Sequence, residues 1–561
     1  MNYKLYFLSI LFLGVFSCKK ASKESKKNTK KPNIIFIMAD DHTSQGFGIY
    51  GSRLAKLNPT PTLDKVAKEG IIFNNCFVNN SICTPSRAAI LTGQHSQANG
   101  VLDLEGVLPM EKQYLPQEIK KLGYQTALIG KWHLTAQPNF DYYNIFTHHH
   151  QQGSYFDPWL TETGMNFTLW DDKNYEGKQY KGHSSDIVTD ITLDWLDKKR
   201  DPEKPFMLMY QFKAPHDNFA FAPRYKDYLE DTFIPEPESL YNNKNNGSIA
   251  TRGENGELLS VIGSSISKRN TVRNYVDIIW DEKLMEKSNP DFDKSKYIND
   301  KMTDKEITSA TYQEYIKRYL RCVKGVDDNV ARVIKYLKEN DLYDNTIIVY
   351  TGDQGFMLGE HDYMDKRWMY DESMRMPFFV RYPESIKPNT RTDAIINNTD
   401  FAPTLIEMAG GNVPDKMQGK SFKTILETGN EPENWQKSTY YRYWMHMAHK
   451  HANPAHFGIR TKTHKLIFYY GKYWVDTDNP DAEWNKESWG NDFTNHTPAA
   501  WELYDLEKDP KEMNNVYNDA NYKEIIAELK TELKNKRAEL DEEDGDKFPH
   551  IQKVIDAHWN D

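Results

Sequence analysis

Cysteine is scarce in this 561-residue chain: four in all, and only Cys76, Cys83 and Cys322 beyond the first eighteen residues. So few exclude a disulfide framework, leaving room for one bridge, and they leave no Cys/His cage of the kind that holds zinc. Positive charge is also in deficit. A formal net charge of −10 argues against a general nucleic-acid binder, which needs a basic face to neutralise phosphates. No internal repeat is visible. A long hydrophobic run is missing too: Leu5–Phe16 falls short of the roughly 20 residues that a spanning helix requires.

That short run has another use. "MNYKLYFLSILFLGVFSC" sets one early lysine before an apolar stretch that ends at Ser17-Cys18, the pattern of a secretory signal over residues 1–18. A small residue before a cysteine resembles the lipobox of bacterial lipoproteins. The resemblance implies lipidation of Cys18, export, and membrane attachment through that lipid alone, in the bacterial periplasm or outer membrane. Cleavage by the ordinary signal peptidase is the alternative. "KKASKESKKNTKK" (19–31) reads as a solvated basic tether.

Beyond the tether, four short apolar runs each stop at residues capable of chemistry. "NIIFIMADD" ends on Asp40-Asp41, "TALIGKWH" on Lys131 and His133, "PFMLMYQFKAPH" on His216, and "TIIVYTGDQG" on Asp353-Gln354. Continuous rather than alternating apolar character marks parallel strands buried on both faces. Helical patterns lie between them, the longest being "TYQEYIKRYLRCVKGVDDNVARVIKYLKEN". Strands alternating with helices predict a doubly wound α/β sheet, whose ligand crevice lies beyond the carboxyl ends of its strands. Residues 230–310 read as a polar insertion or a set of surface loops over the site. A smaller α+β module is expected over 426–561, with a hairpin at "HFGIRTKTHKLIFYY" and an amphipathic helix carrying Ile525, Ile526, Leu529 and Leu533 on one face.

The segment "ICTPSRAAILTG" (82–93) decides among these possibilities. Thr84 as cap and Pro85 in the first turn predict a helix that ends at Gly93. Cys83 then stands at the helix's positive end with Arg87 one turn on, where anions settle and thiols are activated. A packed, inert cysteine would satisfy the same pattern taken alone. The signature Cys-x-Pro-Ser-Arg, however, resembles that of the sulfatase family within the alkaline-phosphatase-like superfamily, where it directs oxidation of the cysteine to formylglycine (3-oxoalanine). "PNIIFIMADD", "GKWH", "TGDQG" and "YMDKRWMYDESMRMPF" resemble further motifs of that family, in its order, across residues 32–425. The C-terminal hairpin and helix are similar to its small domain.

The resemblance implies hydrolysis of sulfate esters on carbohydrates by a large doubly wound mixed sheet with a smaller C-terminal α+β domain. It implies one Ca²⁺ per chain on Asp40, Asp41, Asp353, Gln354 and the modified Cys83, with Gln354 standing where the family more often has Asn. Arg87, Lys131, His133, His216 and Lys366 correspond to the sulfate-binding and proton-handling set, and a formylglycine-generating maturation enzyme is the implied partner. Hard oxygen ligands suit Ca²⁺. Arg87, Lys131 and Lys366 balance the three aspartates, so a divalent cation leaves a positive surplus, which suits an anionic ester.

Fold does not choose the substrate. Several stretches look most like bacterial polysaccharide sulfatases and N-acetylglucosamine-6-sulfatases, while departures elsewhere keep algal polysaccharides such as ulvan or carrageenan open beside glycosaminoglycans. The 13% aromatic content fits sugar stacking as well as ordinary packing. Residues 148–159 and 440–458, with His449, His451 and His456, are expected along the substrate path. A phosphoester or phosphonate monoester hydrolase of the same superfamily and a non-catalytic glycan-binding surface lipoprotein are the competing readings.

Overall fold

The computed structural model describes residues 30–147, 151–167, 176–242, 244–253, 258–259, 261–267, 275–483 and 494–561. The signal, Cys18, the tether up to residue 29 and His148–His150 lie outside them.

The elements that build the site run in chain order as β1 (Asn33–Asp40), α1 (Pro61–Lys68), β2 (Ile71–Phe77), α2 (Cys83–Thr92), α3 (Tyr114–Lys121), β3 (Gln125–Gly130), β4 (Tyr142–Phe146), β5 (Trp159–Glu162), β6 (Lys178–Gln179) and α4 (Ser184–Asp194). They continue as β7 (Phe206–Pro215), α5 (Asp304–Glu339), β8 (Thr346–Gly352), β9 (Phe378–Arg381), β10 (Thr390–Asn397) and α6 (Phe401–Met408). The ten strands form one mixed sheet in the order β10-β2-β9-β8-β1-β7-β3-β4-β5-β6. Its centre, β8-β1-β7-β3, is parallel throughout.

The uninterrupted apolar run of β1 follows from that central place. Ile34, Phe36 and Met38 face one core and Ile35, Ile37 and Ala39 the other, all of them buried. One face is closed by α2, α3 and α6, through residues such as Ile90, Leu115 and Leu405. The opposite face is closed chiefly by α5, through Tyr315, Tyr319, Val323 and Val330. Each such side chain contributes about 1.5–3 kcal/mol on burial. The helix α5 begins at Asp304, ahead of the sequence pattern, because Thr303 and Glu306 form a reciprocal capping box at its start.

A second, antiparallel sheet follows: β11 (Ser438–Tyr443), β12 (His456–Thr461), β13 (His464–Tyr469) and β14 (Ala500–Asp505), each paired with the next. The expected hairpin is β12–β13. Helices α7 (Lys523–Glu539) and α8 (Pro549–His558) cover this sheet. Leu529 and Leu533 are buried in its core, and Ile525 and Ile526 pack partly buried against the same cluster.

Two expectations change. The helix α2 starts on Cys83 itself, with extended Ile82 as its cap residue, so Thr84 lies inside the first turn. Its hydroxyl instead reaches the Leu104 carbonyl at 3.4 Å. Pro85 is tolerated there because the first-turn N–H groups have no intrahelical acceptor. The described residues of 230–310 are also more closely packed than their polarity suggests. Short helices span Tyr275–Ile279 and Glu282–Met285, and Ile262 and Ile266 are fully buried.

Candidate active site

The strands β1, β8, β7 and β3 end side by side, and the residues at their carboxyl ends converge. Successive strand residues ordinarily face opposite ways. At Asp40-Asp41 the alternation is broken by a register shift after Ala39 and by a left-handed backbone at Asp41 (φ 65°). Carboxylate oxygens of Asp40, Asp41 and Asp353 consequently lie within 4.8 Å of one another, all buried. The Asp41 N–H donates to Asp353 Oδ1 at 3.1 Å, tying β1 to β8.

Cys83 enters from the start of α2. Its Sγ is 3.3 Å from Asp40 Oδ1, 3.3 Å from Lys366 Nζ and 3.8 Å from Gln354 Nε2. Gly130 sets the backbone that presents Lys131. At φ 106° it lies so near β7 that a Cβ would stand 1.9 Å from the Gln211 carbonyl, so only glycine fits. From there Lys131 Nζ donates to Asp40 Oδ2. Lys366 Nζ donates to both oxygens of Asp41 at 2.6 and 2.8 Å. His216 brings Nε2 to 3.7 Å from Asp41 and holds Nδ1 2.6 Å from Asp217. His133 is buried with Nδ1 unpartnered.

The charges shift one another's proton affinities. Burial raises the Asp40 carboxyl, but Lys131, His216, Arg87 and Lys366 outweigh it and hold the group well below the usual carboxylate range. Burial and neighbouring Asp40 push Asp353 up to about 6. His133 is held well below its ordinary value by burial, with Lys131 and Arg87 adding to it. Burial and Lys366 oppose a proton on His216, yet Asp40, Asp41 and Asp217 prevail and bring it to about 10. Two histidines in one cleft are thus driven apart, one toward the neutral form and one toward the cation.

Every residue expected at the site is therefore in one place, with one difference of role. Arg87 directs its guanidinium at protein acceptors: Asp353 Oδ2 at 2.8 and 3.1 Å, the Lys131 carbonyl at 3.0 Å and Gln211 Oε1 at 2.7 Å. It fastens the strand ends together rather than facing outward for a sulfate. Gln211, Lys213 and Asp217 were not anticipated, although two polar residues breaking the apolar run of β7 near its end were a legible signal. Tyr155, from the aromatic 148–159 stretch, donates its hydroxyl to the His216 carbonyl at 2.5 Å.

The 440–458 segment differs from expectation. Tyr441, Tyr443, Trp444 and His446 are buried, and His456 is enclosed by the rings of Trp368, Tyr441, Tyr443 and Tyr469. This segment joins the two sheets rather than lining a path. His451 approaches the site's edge, with Nδ1 2.6 Å from Ser264 Oγ and 3.2 Å from Asp365, the neighbour of Lys366. Through Ser264 the 230–310 region reaches the Lys366 loop directly: Met364 N–H donates to the Ser264 carbonyl at 3.0 Å.

The donor set fits a hard divalent cation. Three carboxylates share one spot, and the side-chain oxygen of Gln354 is buried without a partner. Its amide nitrogen is directed at Asp41; turning the amide over brings an oxygen to the carboxylates, an arrangement that a cation reconciles.

Residues 32–411 match the sulfatase family model, and residues 359–481 and 492–539 match that of the N-sulphoglucosamine sulphohydrolase C-terminal region. The chain belongs to the sulfatase family. As a sulfatase it is a sulfuric ester hydrolase, and the family generally uses a divalent metal. It is 37% identical over 558 residues to an N-acetylglucosamine-6-O-sulfatase of Bacteroides thetaiotaomicron, covering 96% of this chain and 92% of that one. An ulvan-active sulfatase of Formosa agariphila is 25% identical over 544 residues, covering 95% and 87%. The solved structure of BT4656 in complex with its substrate D-glucosamine-2-N,6-O-disulfate matches this sulfatase with a TM-score of 0.77 at 36% identity, covering 92% of this chain and 99% of that one.

Proposed function

We propose that this sulfatase removes 6-O-sulfate from glucosamine or N-acetylglucosamine units of a sulfated glycan, using formylglycine made from Cys83. The observation that carries the chemistry is the position of Cys83, at the start of a helix and within 3.3 Å of both Asp40 and Lys366. What supports the sugar is the 37% identity, along nearly the whole chain, to the N-acetylglucosamine-6-O-sulfatase, against 25% for the ulvan-active relative. A phosphonate monoester hydrolase is similar at 18% identity, a level that speaks for fold alone.

Asp40, Asp41, Asp353, Gln354 and the residue at 83 would hold Ca²⁺, whose charge favours the ionised form of a hydroxyl on the hydrated aldehyde. That hydroxyl oxygen attacks sulfur as the bond from sulfur to the sugar oxygen breaks. Lys131 and Lys366 counter the charge on the transferring group. His216, on the side of Asp41 and Asp217, donates a proton to the departing sugar oxygen. His133, with a free ring nitrogen, accepts the proton of the second hydroxyl. The aldehyde C=O then re-forms and sulfate leaves with the electrons of the C–O bond. A gem-diol can expel sulfate in this way, whereas a serine sulfate would need a second displacement. Arg87 acts by fixing Asp353 and the Lys131 backbone.

Export, lipidation of Cys18 and a place in the bacterial cell envelope belong to the same proposal. The tether then lets the catalytic domain work at a membrane it does not enter; among the described residues no helix is long and apolar enough to cross one.

The test is sulfate release from defined mono- and oligosaccharides by protein co-expressed with a formylglycine-generating enzyme. Mass spectrometry of the peptide spanning Cys83 verifies the conversion, and chelation followed by Ca²⁺ restoration verifies the metal. Release from 6-O-sulfated N-acetylglucosamine and not from ulvan fragments is expected. Activity on ulvan fragments alone overturns the sugar assignment, and full activity with unmodified Cys83 overturns the mechanism.

A further inference from the structure

Among the described residues four lysines are buried: Lys131, Lys213, Lys366 and Lys465. Three have carboxylate partners. Lys131 meets Asp40, Lys366 meets Asp41 at 2.6 Å, and Lys465 meets Glu512 at 2.6 Å and Asp371 at 2.8 Å. Lys213 is 8% exposed and differs. Its ammonium makes no ion pair or hydrogen bond among the described residues, and the ring of Tyr155 lies 5.3 Å from Nζ. The Tyr155 hydroxyl is itself committed to the His216 carbonyl.

A buried ammonium without a partner is costly, and proteins ordinarily neutralise or pair such a group. Its address explains why it is kept. Lys213 stands near the end of β7, and its carbonyl accepts the His216 N–H at 3.1 Å in the turn that delivers His216 to the cleft. The ionisable groups acting on it are those of the reacting centre: Lys131, Asp40, Asp217 and Cys83. Burial, then Lys131, draws its proton affinity down to about 8 against the pull of Asp40, Asp217 and Cys83. The family resemblance assigns no role to this position.

We propose that Lys213 is a substrate-contacting residue, its ammonium taking an oxygen of the sulfate ester on the His216 side of the cleft. The bound ester then supplies the anionic partner that the protein withholds. This rests on the sulfatase reading above. A lysine kept for stability would be paired as Lys465 is; one kept for an anion is left open.

The test uses the matured full chain and the variants Lys213→Met, which keeps the apolar stem, and Lys213→Gln, which keeps a polar end should the first misfold. Three readings are taken: kcat/KM on 6-O-sulfated N-acetylglucosamine, inhibition by inorganic sulfate, and the melting temperature. Expected are a loss of kcat/KM of about a hundredfold, the scale of one lost transition-state donor, weaker inhibition by sulfate, and a melting temperature equal to or above that of the unsubstituted enzyme. An unsubstituted enzyme within about threefold of both variants in kcat/KM overturns the Lys213 assignment alone. So does a fall in melting temperature with activity per folded molecule intact. An unsubstituted enzyme that releases no sulfate from any ester removes the sulfatase reading and this proposal with it.

Discussion

Two regions of this protein bury many charges, and they do so in opposite ways. Where the small sheet meets the large one, the buried arginines and lysine are met by carboxylates. Arg460 and Lys465 both hold Asp371, with Lys465 also holding Glu512. Arg442 grips Asp544 with both terminal nitrogens at 2.6 and 3.2 Å, stacks on Trp444 at 3.5 Å, and shares Asp544 with Arg537. In the cleft the pairing is left open: among the described residues the Lys213 ammonium, the Gln354 oxygen and the His133 Nδ1 lack partners. Buried charge that is fully paired fixes one arrangement of the chain. Buried charge left incomplete is poised to be completed by a ligand.

The sharpest way to break this contrast is to remove one group from each region and read activity and stability separately. Cys83→Ala takes the nucleophile out of the cleft. Turnover should fall by about 10⁶-fold, the scale of losing a covalent nucleophile, with the melting temperature essentially unchanged. Retention of a tenth of the activity would end the proposed mechanism. Arg442→Ala acts in the other region. It leaves the Asp544 carboxylate, which is fully buried, with Arg537 as its remaining cation. Breaking one side of a buried pair costs about 3–5 kcal/mol, so denaturant titration should show that loss while kcat/KM per folded molecule stays within about twofold. A large fall in specific activity with normal stability would mean that the interface takes part in the chemistry, and the contrast would fail.

How much of this was legible in the sequence follows from the same division. The apolar runs of β1, β3, β7 and β8 and the residues at their ends were readable because a central parallel strand has one composition and one functional end. Cys83, Arg87 and the aspartates were readable as a motif. Arg87's task was not, since its partner Asp353 is 266 residues away and a motif records neighbours in sequence only. The aromatic and histidine-rich 440–458 segment misled, because rings that stack on sugars and rings that fill a junction between sheets are the same residues; burial of Tyr441, Trp444 and His456 decides between them. Lys213 visibly interrupts the apolar run of β7, but its importance lies in the partner it lacks, which only the surrounding structure can show.

The smallest expected effect sharpens the contrast by pH. Glu542, almost fully buried at the junction, accepts the Gln97 N–H at 2.9 Å on Oε1 while Oε2 has no partner. Burial raises its carboxyl from the ordinary 4.5 to about 7, with Arg442 opposing and Asp544 adding to the rise. Between those two values the folded protein keeps a proton that the unfolded chain releases. Stability from this group is therefore largest below about 4.5, falls as pH climbs toward 7, and is level above that. Glu542→Gln keeps the acceptor and removes the titration. Its stability relative to the unsubstituted protein should rise across that window by about 3 kcal/mol and then stop changing, seen as a pH-dependent gap between the two melting curves. A gap that stays constant from pH 5 to 8 would show that Glu542 keeps an ordinary carboxyl, with its charge fully met by Arg442 as elsewhere in the junction.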